Sequence, residues 1–323
     1  MEKVTIEGVE LILSHPDRIN IEWVGGEDLI RQLSAAWLRM DEDDLPMNPR
    51  LLGKPGVGKT SLAYVTASSV LNREVYIFQC TMDTRPEDLI VTPVISSDGK
   101  IQYHASSLVT AMLKGEVCIL DEGNRMSEKS WASLAPLLDD RRYVESIVAG
   151  IKIPAHPNFL VAVTMNDDAS TYEIPEYIHS RLQPSIEIAF PDAAEEREIL
   201  HNNVPFADDE VLALVTQFLQ RAHEYNEPYT VRDGINILRF AIKLARNTSS
   251  DAKGLLGFSI DSVLGEDAMK YFGENYSPPP KSEDPLAFLD NLGELADGDE
   301  LDELIDPEDF DEDMDGEFDD EEE

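Results

Sequence analysis

GKPGVGKT, residues 53–60, decides the fold. It has the form GxxxxGK[ST] and lies between a short apolar strand and a helix opening at Lys59, the context that separates a phosphate-binding loop from a chance glycine turn. Gly53, Gly56 and Gly58 let backbone N–H groups turn inward on phosphate oxygens, and the helix N-terminus behind them adds its dipole. Pro55, Val57 and Ser61 complete the segment. In such a loop Lys59 reaches the β and γ phosphates and the Thr60 hydroxyl holds Mg²⁺. The residues thus imply ATP and Mg²⁺ as cofactors, and nothing in them selects ATP over GTP.

A second stretch acquires meaning from the first. Residues 118–125 read CILDEGNR, a buried-type run closing on two acids. Alone, such a pair is an ordinary solvated strand end. Beside a phosphate-binding loop, Asp121 becomes a candidate for the magnesium shell. Glu122, one residue on, becomes a candidate general base for an attacking water. Further along, FLVAVTMN ends a strand on Asn166, whose amide could fix that water or touch the γ phosphate. Arg181 and Arg232 are the best isolated cations for phosphate charge.

Working outward, Glu27–Met40 spaces Leu29, Ile30, Leu33, Ala36 and Trp37 as a helix. EVYIFQC (74–80), EVCIL (116–120), FLVAVT (159–164) and SIEIAF (185–190) read as strands. Strands alternating with helices predict a parallel α/β sheet. Asp98-Gly99 within 91–104 and Ala149-Gly150 within 143–154 mark two inserted β-hairpins. From Asp192 onward the pattern is helical, clearest over Asp208–Tyr225 and Val231–Arg246.

The formal charge is −39, and Lys281–Glu323 carries 22 acidic residues against one lysine. This tail follows Ser-Pro-Pro-Pro at 277–280 and is expected to be disordered, because it buries too little apolar area to offset its ordering entropy. Leu286, Phe288, Leu289, Leu292 and Leu295 have helix-period spacing that could fold onto a partner's groove. So acidic a chain argues against direct nucleic-acid binding, which needs clustered Lys and Arg. No apolar run nears the roughly 20 residues of a membrane helix. The first residues lack the pattern of a signal peptide, so no membrane partner and a cytoplasmic location are expected. Cys80 and Cys118 read as core residues, and the six histidines show no ligand spacing.

From about Val24 to Arg246 the order of these motifs resembles the AAA+ ATPases, and within them the MoxR group with its CbbQ, NorQ and GvpN relatives. Asp121-Glu122-Gly123-Asn124-Arg125 is similar to that group's Asp-Glu-x-Asn-Arg. The resemblance implies an AAA+ α/β nucleotide-binding domain (24–191) and a helical lid (192–273), and an N-terminal arm (1–23) and the acidic disordered tail (274–323) lie outside it. It makes Asn166 sensor 1, Arg181 an arginine finger reaching a neighbouring subunit's nucleotide, Arg232 sensor 2 of the lid, and Val24-Gly25 the adenine-side segment. It likens the 91–104 hairpin to the insert in the family's second helix and the 143–154 hairpin to the one before sensor 1. Two positions depart from the pattern: Asn166 precedes Asp167-Asp168 rather than proline, and Ser180 stands where the family has Asp, which leaves Arg125 and Arg142 as alternative fingers.

The resemblance further implies an ATPase working as a homo-hexameric ring that remodels, activates or assembles a client or adaptor protein, often one with a von Willebrand A domain. This chain has no DxSxS motif of that domain; Asp168-Ala169-Ser170-Thr171-Tyr172 comes nearest. Two other readings stay open at this point. One is a nucleotide-driven subunit of a nucleic-acid or restriction system of the McrB type. The other is a nucleotide-binding scaffold without turnover.

Overall fold

The computed structural model describes residues 2–166, 174–246 and 251–273. Asp167, Asp168 and the 168–172 stretch, the breaker at 277–280 and the acidic tail lie outside the described residues.

The chain opens with the antiparallel pair β1 (Lys3–Ile6) and β2 (Val9–Ile12). Helix α1 (Glu27–Trp37) turns Leu33, Ala36 and Trp37 inward. β3 (Arg50–Gly53) delivers the glycine-rich loop, and α2 (Lys59–Val65) leaves it, widening into a π-helical turn over Thr66–Val70. Next come β4 (Val75–Gln79), the one-turn α3 (Pro86–Leu89), and the hairpin of β5 (Val91–Ile95) and β6 (Ile101–Ala105). α4 (Ser107–Lys114) is capped by the Ser106 hydroxyl, which accepts from Val109 N–H. β7 (Val117–Asp121), a 3-10 turn (Gly123–Arg125) and α5 (Glu128–Leu134) follow. The second hairpin is β8 (Tyr143–Ser146) with β9 (Ile151–Pro154). β10 (Leu160–Asn166), α6 (Glu176–His179) and β11 (Ser185–Glu187) complete the strand-rich part. Then α7 (Ala193–Asn203), α8 (Asp209–Glu224), α9 (Val231–Ala245) and α10 (Leu256–Leu264) pack together.

The central sheet has the order β11-β3-β10-β7-β4, and every pair in it is parallel. The period-two rule of a strand buried on both faces is visible residue by residue. Cys118 and Leu120 of β7 enter one apolar cluster with Trp131 and Phe159, whereas Val117 and Ile119 enter the other with Leu33, Trp37 and Leu62. Each such side chain contributes about 1.5–3 kcal/mol on burial. The α/β class expected from the alternation is the class observed.

Both hairpins form where their turn residues place them. β6 also pairs in parallel with β2, so the first residues of the chain share a four-stranded sheet, β1-β2-β6-β5, with the 91–105 hairpin rather than running on alone. The strand expected across 185–190 stops at Glu187. β11 has only β3 as neighbour, and β3 turns into the glycine-rich loop after Gly53, so the last bond is Ile188 N–H to Leu52 O at 2.8 Å. Among the described residues no helix is long and apolar enough to cross a membrane.

Candidate nucleotide-binding site

Parallel strands in one sheet all point the same way, so β3, β7 and β10 release Gly53, Asp121 and Asn166 at the same edge. Register sets Asn166 beside Gly53 and Asp121 beside Gln79. In open α/β sheets this edge is where ligands bind.

Lys59 is 6 % exposed, and its Nζ donates to the carbonyls of Gly53 (3.0 Å) and Lys54 (2.8 Å) of its own loop. Thr60 Oγ1 donates to Asp121 Oδ1 at 2.5 Å, and Thr164 Oγ1 donates to the same oxygen at 2.6 Å. A hydroxyl and a carboxylate in contact at a helix N-terminus form a hard-oxygen set that fits Mg²⁺, which characteristically takes few protein ligands and completes its shell with phosphate and water. Thr164 then accepts the Glu122 backbone N–H at 2.9 Å, fixing the residue that follows Asp121.

Glu122 adopts φ +56°, uncommon for a residue with a side chain and a conformation that clusters at functional sites. Its carboxylate is gripped from three sides. Asn166 Nδ2 donates to Oε1 at 3.1 Å, Gln79 Nε2 donates to Oε2 at 3.2 Å, and Arg125 Nε forms an ion pair with Oε2 at 2.8 Å. The next residue must be glycine for space: a Cβ on Gly123 would stand 2.4 Å from Val163 Cγ1. Asn124, 6 % exposed, donates Nδ2 to Asn166 O at 2.8 Å and accepts the Asn166 N–H on Oδ1 at 3.4 Å. The Asn and Arg of CILDEGNR thus hold two candidate catalytic side chains in place.

Two cavities flank the loop. One of about 680 Å³ is lined by Val24, Gly56, Val57, Gly58 and Ser61 together with Arg232 of α9. Gly25 sits under Glu195, whose Oε1 would lie 1.9 Å from a Cβ there and accepts the Gly26 N–H at 3.2 Å. A Cβ on Gly56 would meet Thr230 Oγ1 at 2.7 Å, so the start of α9 rests directly on the loop. The other cavity, about 890 Å³, is lined by Gly53, Val57, Asn124 and Asn166 among others. Pro55 is exposed on the loop.

Arg181 stands outside both linings. Its Nε is 3.2 Å from Asp139 Oδ2, and its Nη1 donates to the Tyr177 carbonyl. Arg141, and after it Arg181, holds the Asp139 carboxyl down at about 2. The buried amide of Asn48 donates to the carbonyls of both Leu138 (2.9 Å) and Arg181 (3.1 Å), pinning the two segments together. Of the alternative arginines, Arg125 is engaged with Glu122, and Arg142 donates to Phe159 O at 2.7 Å. His179 contacts Arg50, and both cysteines are buried and free.

Sequence reasoning missed Thr164, Gln79 and Glu195. Thr164 left a faint signal, a hydroxyl two residues before Asn166 and therefore on the same strand face. Gln79 and Glu195 gave none, because each acts through a neighbour remote in the chain.

Residues 50–182 match the family model of the AAA domain, dynein-related subfamily. An uncharacterized protein of Staphylococcus haemolyticus is 25 % identical over 180 residues, which is 54 % of this chain and 68 % of that one. A counterpart in Staphylococcus aureus is 26 % identical over 180 residues, with the same shares. Among solved structures, the Holliday junction branch migration motor RuvB of Thermotoga maritima superposes with a TM-score of 0.50 at 16 % identity, covering 74 % of this chain and 70 % of that one. At such identity the likeness concerns the fold alone. The family match falls on the segment running from β3 through β10 to Leu182, the segment that supplies Lys59, Asp121, Glu122 and Asn166, and over that segment the chain is similar to the AAA domain of the dynein-related subfamily.

Proposed function

We propose that the protein is an ATP-hydrolysing ring ATPase of the MoxR type that remodels, activates or assembles a partner protein. The observation that carries the reading is the convergence of Thr60 on Asp121 and of Asn166 on Glu122 at one sheet edge. A loop that merely bound nucleotide would not need a carboxylate on a left-handed backbone, held by an amide, beside the metal-side acid.

In this mechanism Lys59 leaves its loop carbonyls for the β and γ phosphates, and loop N–H groups wrap them. Thr60 and Asp121 would hold magnesium, which would supply positive charge to the transferred phosphoryl group. Glu122 orients the attacking water and takes its proton, with Asn166 holding both the carboxylate and the water in register. Val24 and Gly25 border the adenine side. Arg232, at the start of α9, reports occupancy to the lid. Arg181 completes the site of a neighbouring subunit in a hexameric ring, a finger worth about 10³–10⁵ in rate.

A protein client, with a von Willebrand A domain on a separate chain, is the partner class that this reading favours. Its contact elements are the two hairpins, whose tips expose Ile95 (77 %), Ile101 (62 %) and Ile147 (89 %) to solvent. Residues of that kind scattered singly need no explanation, but here they gather on two inserted tips.

The test is phosphate release by the Glu122→Gln protein beside a nucleotide-binding measurement. Hydrolysis should be lost while binding is kept, and the trapped protein should retain its client in a pull-down. Undiminished hydrolysis would overturn the assignment.

A further inference from the structure

The 680 Å³ cavity has an aromatic wall that no motif signals. Trp23 is partly buried and borders the cavity beside Gly58. Its Nε1 donates to Gly25 O at 2.7 Å. Its Cζ2 lies 3.4 Å from the position of a Cβ on Gly26, and its Cζ3 lies 3.2 Å from the position of a Cβ on Gly58. The indole therefore lies against the positions of two glycines with its only polar atom already committed, so what it adds to the cavity lining is aromatic carbon. Ile199 of α7, and Val231 and Ile235 of α9, supply aliphatic side chains to the same cavity from the helical part.

We propose that Trp23 is the base-stacking residue of the nucleotide site, taking the purine against its indole face while the aliphatic side chains of α7 and α9 close over it. The inference deepens the proposed ATPase reading and rests on it. A fixed aromatic plane suits any purine, because every base has a π-face. Trp23 accordingly sets affinity, and the choice between adenine and guanine falls to groups at the base edge, the 24–26 backbone and Glu195. Because the ring contacts Gly58 at the start of α2, seating of the base also bears on the loop that holds the phosphates.

The chain has three tryptophans, and Trp37 and Trp131 are only 4 % and 1 % exposed, so Trp23 is the one positioned to report on the cavity. The experiment titrates the full chain with Mg·ATP and, separately, with Mg·tripolyphosphate, which has the phosphates and no base. Intrinsic fluorescence and calorimetry are read for wild type, Trp23→Leu and Trp23→Phe. ATP should change wild-type emission and tripolyphosphate should not. Trp23→Leu should weaken ATP about 5- to 100-fold while leaving tripolyphosphate binding unchanged, and Trp23→Phe should recover most of the loss. Equal ATP affinity in Trp23→Leu and wild type overturns the inference. So does an equal loss for ATP and tripolyphosphate, which would make the indole a structural support only. If the wild type binds tripolyphosphate and ATP equally well, the cavity is no purine slot, although the phosphate site stands. If it binds neither, the nucleotide reading itself fails.

Discussion

The side-chain amide of Asn124 is bonded both ways to the backbone of Asn166, donating to its carbonyl at 2.8 Å and accepting its N–H at 3.4 Å. This pair ties the end of β10 to the turn after β7. Asn166 in turn holds Glu122, so the geometry of the candidate base depends on a residue that does not touch it.

Asn124→Ala should therefore act on rate more than on affinity. Leaving the Asn166 backbone groups without their partner costs about 1–3 kcal/mol of stability. Phosphate release at saturating nucleotide should fall about tenfold or more, as expected when a reacting group is misplaced, with Kd nearly unchanged. Equilibrium unfolding in urea and steady-state kinetics check both parts.

Gly123→Ala tests packing at the same turn. The added methyl would stand 2.4 Å from Val163 Cγ1, inside a strand buried on both faces. Overpacking of that kind costs about 1–3 kcal/mol. The urea midpoint should drop, and hydrolysis should drop with it because Glu122 is the adjoining residue. A wild-type midpoint would show that β10 yields more easily than its burial suggests.

Glu196 gives a pH dependence. It is fully buried on α7, its Oε2 accepts from Gln220 Nε2 at 2.9 Å, and burial raises its pKa to about 7. A carboxyl raised on folding favours the native state while protonated. Its contribution is complete below the unfolded value near 4.5 and is lost as pH rises through about 7. The loss is on the order of 2 kcal/mol between pH 5 and 8. Glu196→Gln, which keeps an acceptor for Gln220, should remove that slope and stabilise the protein at pH 8. Thermal melts across this range are the check, and an unchanged slope would assign the pH dependence elsewhere.

Arg181 makes its contacts to Asp139 and Tyr177 of its own chain and lies outside the linings of both cavities. If it serves a neighbour, mixing the Arg181→Ala and Glu122→Gln proteins should restore activity that neither has alone, because a Glu122→Gln subunit supplies its intact arginine to the intact site of an adjoining Arg181→Ala subunit. No restoration would show that it acts in cis or not at all. Asp139→Asn weakens the clasp on Arg181 and should lower the rate without altering nucleotide Kd.

The main lines of this protein were legible in the chain itself. GKPGVGKT dictates a strand–loop–helix unit because only glycines let N–H groups converge and only a helix start can follow. Alternating apolar runs dictate a parallel sheet, because strands buried on both faces have no polar side to show. The placement of Asp121 and Glu122 at the loop's edge of the sheet followed, since the strands of a parallel sheet all end on the same side. Local rules of this kind depend on near neighbours in the chain. What remained hidden depends on partners far apart in it: Thr164 bonding Asp121, Gln79 and Arg125 gripping Glu122, Trp23 laid against Gly58, Glu195 over Gly25, and the first strands joining the β6 hairpin. Register across a sheet and the docking of the helical part on the glycine-rich loop brought those residues together. They are set by packing of the whole fold, and no single stretch of sequence carries that information.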